Sequence, residues 1–95
     1  MTENIFLEII LYSKDFPFEG RDEIEEPLDE ALQESNLGEI TGGGSGLGSI
    51  NIDVEVTDLE AGINLIRKIL QNISAPESTV INQYEPEEVV YKVYE

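Results

Sequence analysis

The stretch INIDVEV at residues 50–56 decides the fold prediction, because its side chains alternate strictly between aliphatic and polar. The aliphatic members are Ile50, Ile52, Val54 and Val56, and the polar ones are Asn51, Asp53 and Glu55. Strict alternation is typical of a strand that buries one face and exposes the other. We therefore predict a sheet that is covered on one side.

A second strand is predicted at residues 5–12, IFLEIILY, which is short and rich in aliphatic and aromatic residues. One of its faces is wholly aliphatic: Ile5, Leu7, Ile9 and Leu11. The opposite face is half apolar: Phe6, Glu8, Ile10 and Tyr12. This half-apolar face is a candidate contact surface.

Two helices are predicted, at residues 22–36 and 58–72, where apolar residues recur at intervals of three and four. Pro27 fits the first turn of a helix, so the regular part of the first helix is predicted to begin at Glu25 or Glu26. Gly38 is expected to end it in a left-handed cap. Thr57 and Glu60 have the spacing of a capping box for the second helix.

Three more strands are expected, a short one at residues 38–41 and two others at 79–84 and 89–94. The resulting order, strand–helix–strand–strand–helix–strand with one extra C-terminal strand, is the split βαβ arrangement of ferredoxin-like folds. The sequence thus predicts a single acidic α+β domain over residues 1–95. Its antiparallel sheet carries both helices on one face and leaves the other open.

The composition excludes several kinds of chemistry. The chain has no histidine and no cysteine, which leaves no imidazole or thiolate for metal binding or nucleophilic catalysis. The exposed carboxylates Asp53 and Glu55 match no calcium-binding loop, and exposed strand positions lack the burial that catalytic carboxylates usually need. We therefore expect a protein that is not an enzyme, with no catalytic, cofactor-binding or metal-binding residues.

Charge and hydropathy also limit the partners and the location. With 21 acidic and five basic residues the net charge is −16, which disfavours direct binding to nucleic-acid phosphates or to an anionic membrane. The N-terminal apolar run has no basic stretch before it and is interrupted by Glu8. A cytoplasmic protein without a membrane segment is expected.

The glycine run at residues 42–48, GGGSGLG, resembles a phosphate-binding loop only superficially. The dinucleotide fingerprint requires a helix directly after its glycines, but a strand follows here. Ser49 stands where a phosphate-binding loop needs lysine. A turn or bulge between antiparallel strands is favoured over a ligand cradle. A further alternative is a flexible loop that becomes ordered when a partner binds.

Residues 19–39 hold nine acids and one base, which is more charge than solubility alone requires. The two interpretations are a solvated helix face and an electrostatic landing surface for a basic partner. Like charges four residues apart repel, so a pattern that accepts this repulsion favours the second interpretation. The predicted steering charges are Glu23, Glu26, Asp29, Glu30 and Glu34.

The four tyrosines are the other candidate contact residues, since tyrosine combines an apolar ring with a polar tip. We expect Tyr12, Tyr84, Tyr91 and Tyr94 to share the open sheet face with Phe6 and Ile10. The alternatives are that the C-terminal segment covers this face within the chain, or that the face forms a homodimer.

The segments at residues 37–70 and 80–91 resemble small acidic bacterial proteins of uncharacterised function, a likeness that spans residues 25–94. By analogy, some proteins of this size, charge and fold are immunity proteins that neutralise a toxin. The sequence thus predicts a protein–protein binding module directed at a basic partner, with a toxin immunity or inhibitor protein as one form. A more specific form of the binding module is a mimic of nucleic acid that blocks a DNA- or RNA-binding protein. The alternative is a homodimeric structural domain or a small-ligand-binding domain.

Overall fold

Two long strands form the centre of the sheet in the computed structural model, which describes residues 4–94. Strand β1 (Ile5–Tyr12) pairs antiparallel with β3 (Ser49–Val56) along its whole length. The remaining strands are β2 (Gly38–Gly46), β4 (Val80–Gln83) and β5 (Val89–Lys92). The helices are α1 (Asp22–Glu34) and α2 (Leu59–Asn72), and a short 3₁₀ turn at Ser13–Asp15 follows β1.

The five strands form one antiparallel sheet in the order β2-β3-β1-β4-β5. Fully buried residues alternate along the strands and recur at helical spacing in α1 and α2. They form one cluster: Leu7, Ile9 and Leu11; Ile52, Val54 and Val56; Ile81; Ile24, Leu28 and Leu32; Ile66 and Leu70. Both helices therefore cover the same face of the sheet, and the predicted α+β class with its fifth strand is confirmed.

Helix α1 begins earlier than predicted, at Asp22, so Pro27 is its sixth residue and lies outside the first turn. A proline here removes one backbone hydrogen bond of the helix. The additional turn places Ile24 in the core, where it is fully buried with Leu28 and Leu32. Burial of an isoleucine side chain contributes about 1.5–3 kcal/mol, which offsets part of the cost of about 3 kcal/mol of a proline inside a helix.

The end of α1 also differs from the prediction, since the left-handed residue is Asn36 (φ 58°) and not Gly38. The Leu37 N–H donates to the Leu32 carbonyl at 3.0 Å, which is the long hydrogen bond of a Schellman cap. Gly38 instead begins β2. A Cβ at that position would lie 2.1 Å from the Glu55 carbonyl oxygen, so glycine permits the close approach of β2 to β3.

Helix α2 is capped one residue later than predicted. The Asp58 side chain accepts a hydrogen bond from the Ala61 N–H at 3.0 Å, which makes Asp58 the N-cap residue. Thr57 instead extends the pairing of the strands, because its N–H donates to the Leu37 carbonyl at 2.9 Å. The expected capping box of Thr57 and Glu60 is therefore wrong.

Most of the glycine run, residues 42–46, belongs to strand β2. Strand β2 continues to Gly46, which pairs with Ser49 across a two-residue turn. Both turn residues, Leu47 (φ 52°) and Gly48 (φ 85°), have positive φ, as a type I′ hairpin turn requires. The expected bulge is present only at Thr41, where the register shifts between Ile40 and Gly42. The predicted turn between antiparallel strands is confirmed at Leu47 and Gly48, whereas pairing with β3 holds residues 42–46 extended.

Neither helix within residues 4–94 combines the length and the apolar character needed to cross a membrane.

Candidate protein-interaction surface

A groove runs between α1 and the edge strand β2, and two contacts set its direction. The Ile40 N–H donates to Asp29 Oδ1 at 3.0 Å in the middle of the helix. At the start of the helix the Arg21 guanidinium lies beside Gly43, where an added Cβ would be 3.5 Å from Arg21 Cζ. Helix α1 therefore runs antiparallel alongside β2.

The groove is strongly acidic. Its walls combine charged residues of α1 with bare backbone of β2, because the strand contributes Ile40, Gly42 and Gly43. Helix α1 contributes five acids and one amide, and the residue before it, Arg21, contributes one base: Glu25, Glu26, Asp29, Glu30 and Glu34; Gln33; Arg21. Carboxylates that line a concave surface concentrate their negative potential there. We call this surface the acidic groove.

Two acids of the acidic groove have structural partners. Glu25 Oε2 lies 3.0 Å from Arg21 Nε in an ion pair. Asp29 accepts from the Ile40 N–H through one oxygen and from Gln33 Nε2 at 2.7 Å through the other. Asp29 therefore joins the helix to the edge strand, which adds a structural role to the steering charge predicted for it.

Three predicted steering charges remain free. Glu26, Glu30 and Glu34 are exposed and have no hydrogen bond or ion pair within residues 4–94. They are spaced four residues apart, so they form one row with a rise of about 6 Å between neighbours. This row is the part of the acidic groove that is available to a partner.

Glu23, the fifth predicted steering charge, lies outside the acidic groove. Its Oε2 accepts from the Glu19 N–H at 2.6 Å and from the Gly20 N–H at 3.2 Å. The carboxylate thus holds the segment that enters α1.

The open face of the sheet carries two of the predicted tyrosines, Tyr12 and Tyr84, which are 39% and 42% exposed. The Tyr84 ring stacks on Phe6 with 6.3 Å between ring centroids. Its hydroxyl donates to Glu8 Oε1 at 2.5 Å. This hydrogen bond to a carboxylate, followed by desolvation, raises the pKa of Tyr84, while a hydrogen bond with Asn82 lowers it.

Tyr91 and Tyr94 do not share that face, which corrects the expectation for them. Tyr91 pairs with Ile81, a core residue, and its hydroxyl donates to Gln83 Oε1 at 2.8 Å. The Tyr94 hydroxyl donates to the Ala75 carbonyl at 2.6 Å. The register of β5 on β4 turns Tyr91 toward the helices, where the Arg67 guanidinium lies 5.9 Å from its ring centroid.

Acids also occupy the open face, because the polar positions of the central strands and of β2 point there: Glu8, Glu39, Asp53 and Glu55. Lys92 of β5 lies on the same face, opposite Val80. A second copy of the chain would bring a like-charged surface against this one.

Sequence reasoning missed Glu25, Gln33 and the backbone of β2 as parts of the acidic groove. The spacing of Asp29 and Gln33, four residues apart, could have indicated their contact. The glycines carry no alternating side chains, so no pattern marked them as one wall of a groove.

Among residues 4–94, no three acidic side chains converge in a way that could hold a metal ion. Comparison of the chain with protein-family models, with curated proteins and with solved structures gave no match.

Proposed function

We propose that this protein is a protein–protein binding module whose acidic groove recognises a basic partner. The observation that carries the proposal is the row of Glu26, Glu30 and Glu34, which are exposed and unpaired within the described chain. The neighbouring acids Glu25 and Asp29 have partners that hold the groove in shape. The acids of the groove thus form two groups. Glu25 and Asp29 have partners within the fold, whereas Glu26, Glu30 and Glu34 are exposed to a binding partner.

Electrostatics gives the mechanism. Neighbouring carboxylates at four-residue spacing each cost about 0.2–0.5 kcal/mol, and a cationic partner relieves that repulsion. Complementary fields raise association rates by about 10 to 10³-fold, and salt suppresses the gain. Binding should therefore be fast at low ionic strength and should slow as salt is added.

The test begins with affinity capture from a host lysate at low and high salt, and continues with the purified partner. We expect the triple variant E26Q/E30Q/E34Q to reduce the association rate strongly. The matched control is E85Q/E87Q/E88Q, which removes the same charge from an exposed segment between β4 and β5. Equal losses in both variants would show that only net charge matters and would contradict recognition by the groove.

The sheet order supports a finer proposal about the fold. Omitting β5, the order is β4-β1-β3-β2, with α1 connecting β1 to β2 and α2 connecting β3 to β4. This is the arrangement expected for a ferredoxin-like fold, and we propose that β5 extends it at one edge. An experimental structure that placed β4 elsewhere would contradict it.

One form of the proposed module is a toxin immunity protein. We propose that it acts in the cytoplasm, because a chain without cysteine forms no disulfide bonds and needs no oxidising environment. Its distinguishing result is that the captured partner is an enzyme whose activity falls on binding. A captured partner that keeps its full activity would leave the binding module standing and would contradict the inhibitory form.

The stacked pair Phe6 and Tyr84 on the open face favours a second candidate, a homodimer through that face. The acids Glu8, Asp53 and Glu55 oppose it, because like charges would meet across the interface. Sedimentation over a range of protein concentrations distinguishes the two. A constant monomer mass contradicts the homodimer, and a mass that rises with concentration and returns to monomer in Tyr84→Ser supports it.

A further inference from the structure

The two edges of the sheet are protected differently. At the β5 edge, the Lys92 carbonyl accepts from Arg67 Nε at 2.8 Å and the Val93 carbonyl accepts from Gln71 Nε2 at 2.7 Å. Side chains of α2 therefore satisfy the end of this four-residue strand. Natural proteins commonly protect sheet edges in this way, by short strands and by covering groups.

The β2 edge is protected over only part of its nine residues. Its first half has the Asp29 carboxylate on the Ile40 N–H and a bulge at Thr41. In its second half, Gly46 and Ser49 flank the two-residue turn and exchange hydrogen bonds, so by alternation Gly43 and Ser45 turn their backbone groups outward. These outward groups have no hydrogen-bond partner within residues 4–94.

The bare edge and the free acids occupy consecutive lengths of β2. Arg21 lies beside Gly43 and Asp29 beside Ile40, so Glu26 is the free acid nearest the bare edge, and Glu30 and Glu34 lie beside the first half of the strand. The side chains on one face of an extended strand repeat every two residues, about 6.6–6.8 Å apart. Glu26, Glu30 and Glu34 repeat at about 6 Å along α1, which runs antiparallel beside β2. Basic side chains at every second position of an extended segment that leaves the bare edge and follows the groove toward Ile40 would therefore meet successive carboxylates.

We infer that the free edge of β2 accepts an extended basic segment of the partner as a sixth strand. Its backbone hydrogen-bonds to Gly43 and Ser45, and it then continues past the bulge along the acidic groove, where its alternate lysines or arginines face Glu26, Glu30 and Glu34 in turn. Because residues 42–46 are glycines apart from Ser45, the strand has little side-chain bulk here to obstruct the approach of another backbone. Main-chain pairing supplies affinity and the acidic row supplies selectivity for cations. This inference rests on the proposed function and specifies how the partner is held.

The probe is a synthetic peptide of alternating lysine and threonine, compared with an isomer in which all the lysines precede all the threonines. Both peptides carry the same charge, but only the first places every lysine on one face of a strand. We expect the alternating peptide to bind more tightly. We also expect it to protect the Gly43 and Ser45 amides from hydrogen exchange, as followed by NMR.

Two variants of Ser45 test whether its backbone N–H forms a hydrogen bond with the peptide. Ser45→Pro removes an outward N–H, which proline permits on an edge strand, whereas Ser45→Ala keeps it. Loss of one hydrogen bond should weaken the alternating peptide about two- to tenfold in Ser45→Pro and leave Ser45→Ala unchanged. Thermal unfolding of both variants shows whether β2 still forms, and amide protection in the unaltered chain tests the inference without any substitution.

The outcomes separate the inference from the proposed function. If E26Q/E30Q/E34Q binds the alternating peptide as well as the unaltered chain does, the proposal that the acidic groove recognises a basic partner is wrong. If that variant binds weakly but Gly43 and Ser45 stay unprotected and the two peptides bind equally, the groove stands and strand addition is overturned.

Discussion

Leu47 occupies a strained position at the tip of the β2–β3 hairpin. Its φ is 52° and its side chain is fully exposed, so no burial compensates for the strain. A left-handed conformation costs a residue such as leucine about 1–2 kcal/mol, and asparagine tolerates it better. We predict that Leu47→Asn raises the free energy of unfolding by about 1 kcal/mol, measured by urea denaturation.

The matched control is Leu47→Ala, which removes the same exposed side chain but keeps the backbone strain. It should leave the free energy of unfolding nearly unchanged. Equal stabilisation by asparagine and alanine would mean that the exposed side chain, and not the backbone, causes the strain.

Tyr84 makes stability depend on pH on the alkaline side. Its pKa is raised chiefly by the hydrogen bond to Glu8, so the neutral hydroxyl is favoured in the folded chain. The resulting stabilisation is complete below the unfolded-state value of about 10 and is lost as the pH rises through the folded-state pKa. We predict that the stability difference between the unaltered chain and Tyr84→Phe shrinks over that range, as measured by urea denaturation at several pH values.

Glu8→Gln provides the control, because it removes the carboxylate and keeps the rest of the face. Its Tyr84 should ionise at lower pH, which ultraviolet absorbance of tyrosinate can follow. An unchanged titration in Glu8→Gln would contradict the assigned cause.

At the scale of secondary-structure elements, Asp29 is the link between α1 and β2. It is half-buried and accepts hydrogen bonds from the Ile40 N–H and from Gln33. We predict that Asp29→Ala lowers the free energy of unfolding by about 1–2 kcal/mol and speeds hydrogen exchange at the Ile40 amide.

Asp29→Asn keeps one acceptor oxygen and removes the charge, so it should retain most of the stability. If asparagine and alanine are equally destabilising, the link is electrostatic and the hydrogen bond to Ile40 contributes little.

The elements also show which parts of the fold could be predicted. Strands β1 and β3 could be predicted from their alternation, and helix α2 from its apolar stripe. Buried side chains determine these elements, so the sequence pattern is enough to locate them. Strand β2 beyond Thr41 was missed because its glycines are held by hydrogen bonds to β3, which leave no side-chain pattern. The orientation of Tyr91 was missed because the register of a short end strand depends on the segment joining it to β4.

The acidic groove could likewise be predicted only in part from the sequence. Glu26, Glu30 and Glu34 were predicted because their spacing alone places them in one row. The separation of free from engaged acids could not be predicted, since it depends on Arg21 meeting Glu25 and Asp29 meeting Ile40 across the fold. The steering role of the free acids, and the anchoring role of Tyr12, Tyr84, Tyr91 and Tyr94, stay predictions.

At the scale of the whole molecule, charge repulsion works against the folded state. The chain has a net charge of −16, and folding brings its carboxylates closer together. Salt shortens the Debye length to about 8 Å at physiological ionic strength, which weakens this repulsion. We predict that the melting temperature rises as sodium chloride is added from very low ionic strength, as measured by calorimetry.

Potassium chloride should act in the same way if screening is responsible. The control variant E85Q/E87Q/E88Q, which carries fewer charges, should respond less to either salt. A melting temperature that is flat or falls with salt would contradict the prediction.

The unequal borders of the sheet also limit what the chain can form with itself. At the β5 border, α2 side chains occupy the carbonyls of Lys92 and Val93, which disfavours the addition of another copy there, the step that a head-to-tail fibre needs. Two copies that pair through sheet edges would meet through their glycine strands, and that symmetric encounter uses both β2 edges at once. We therefore expect association through sheet edges to stop at a pair.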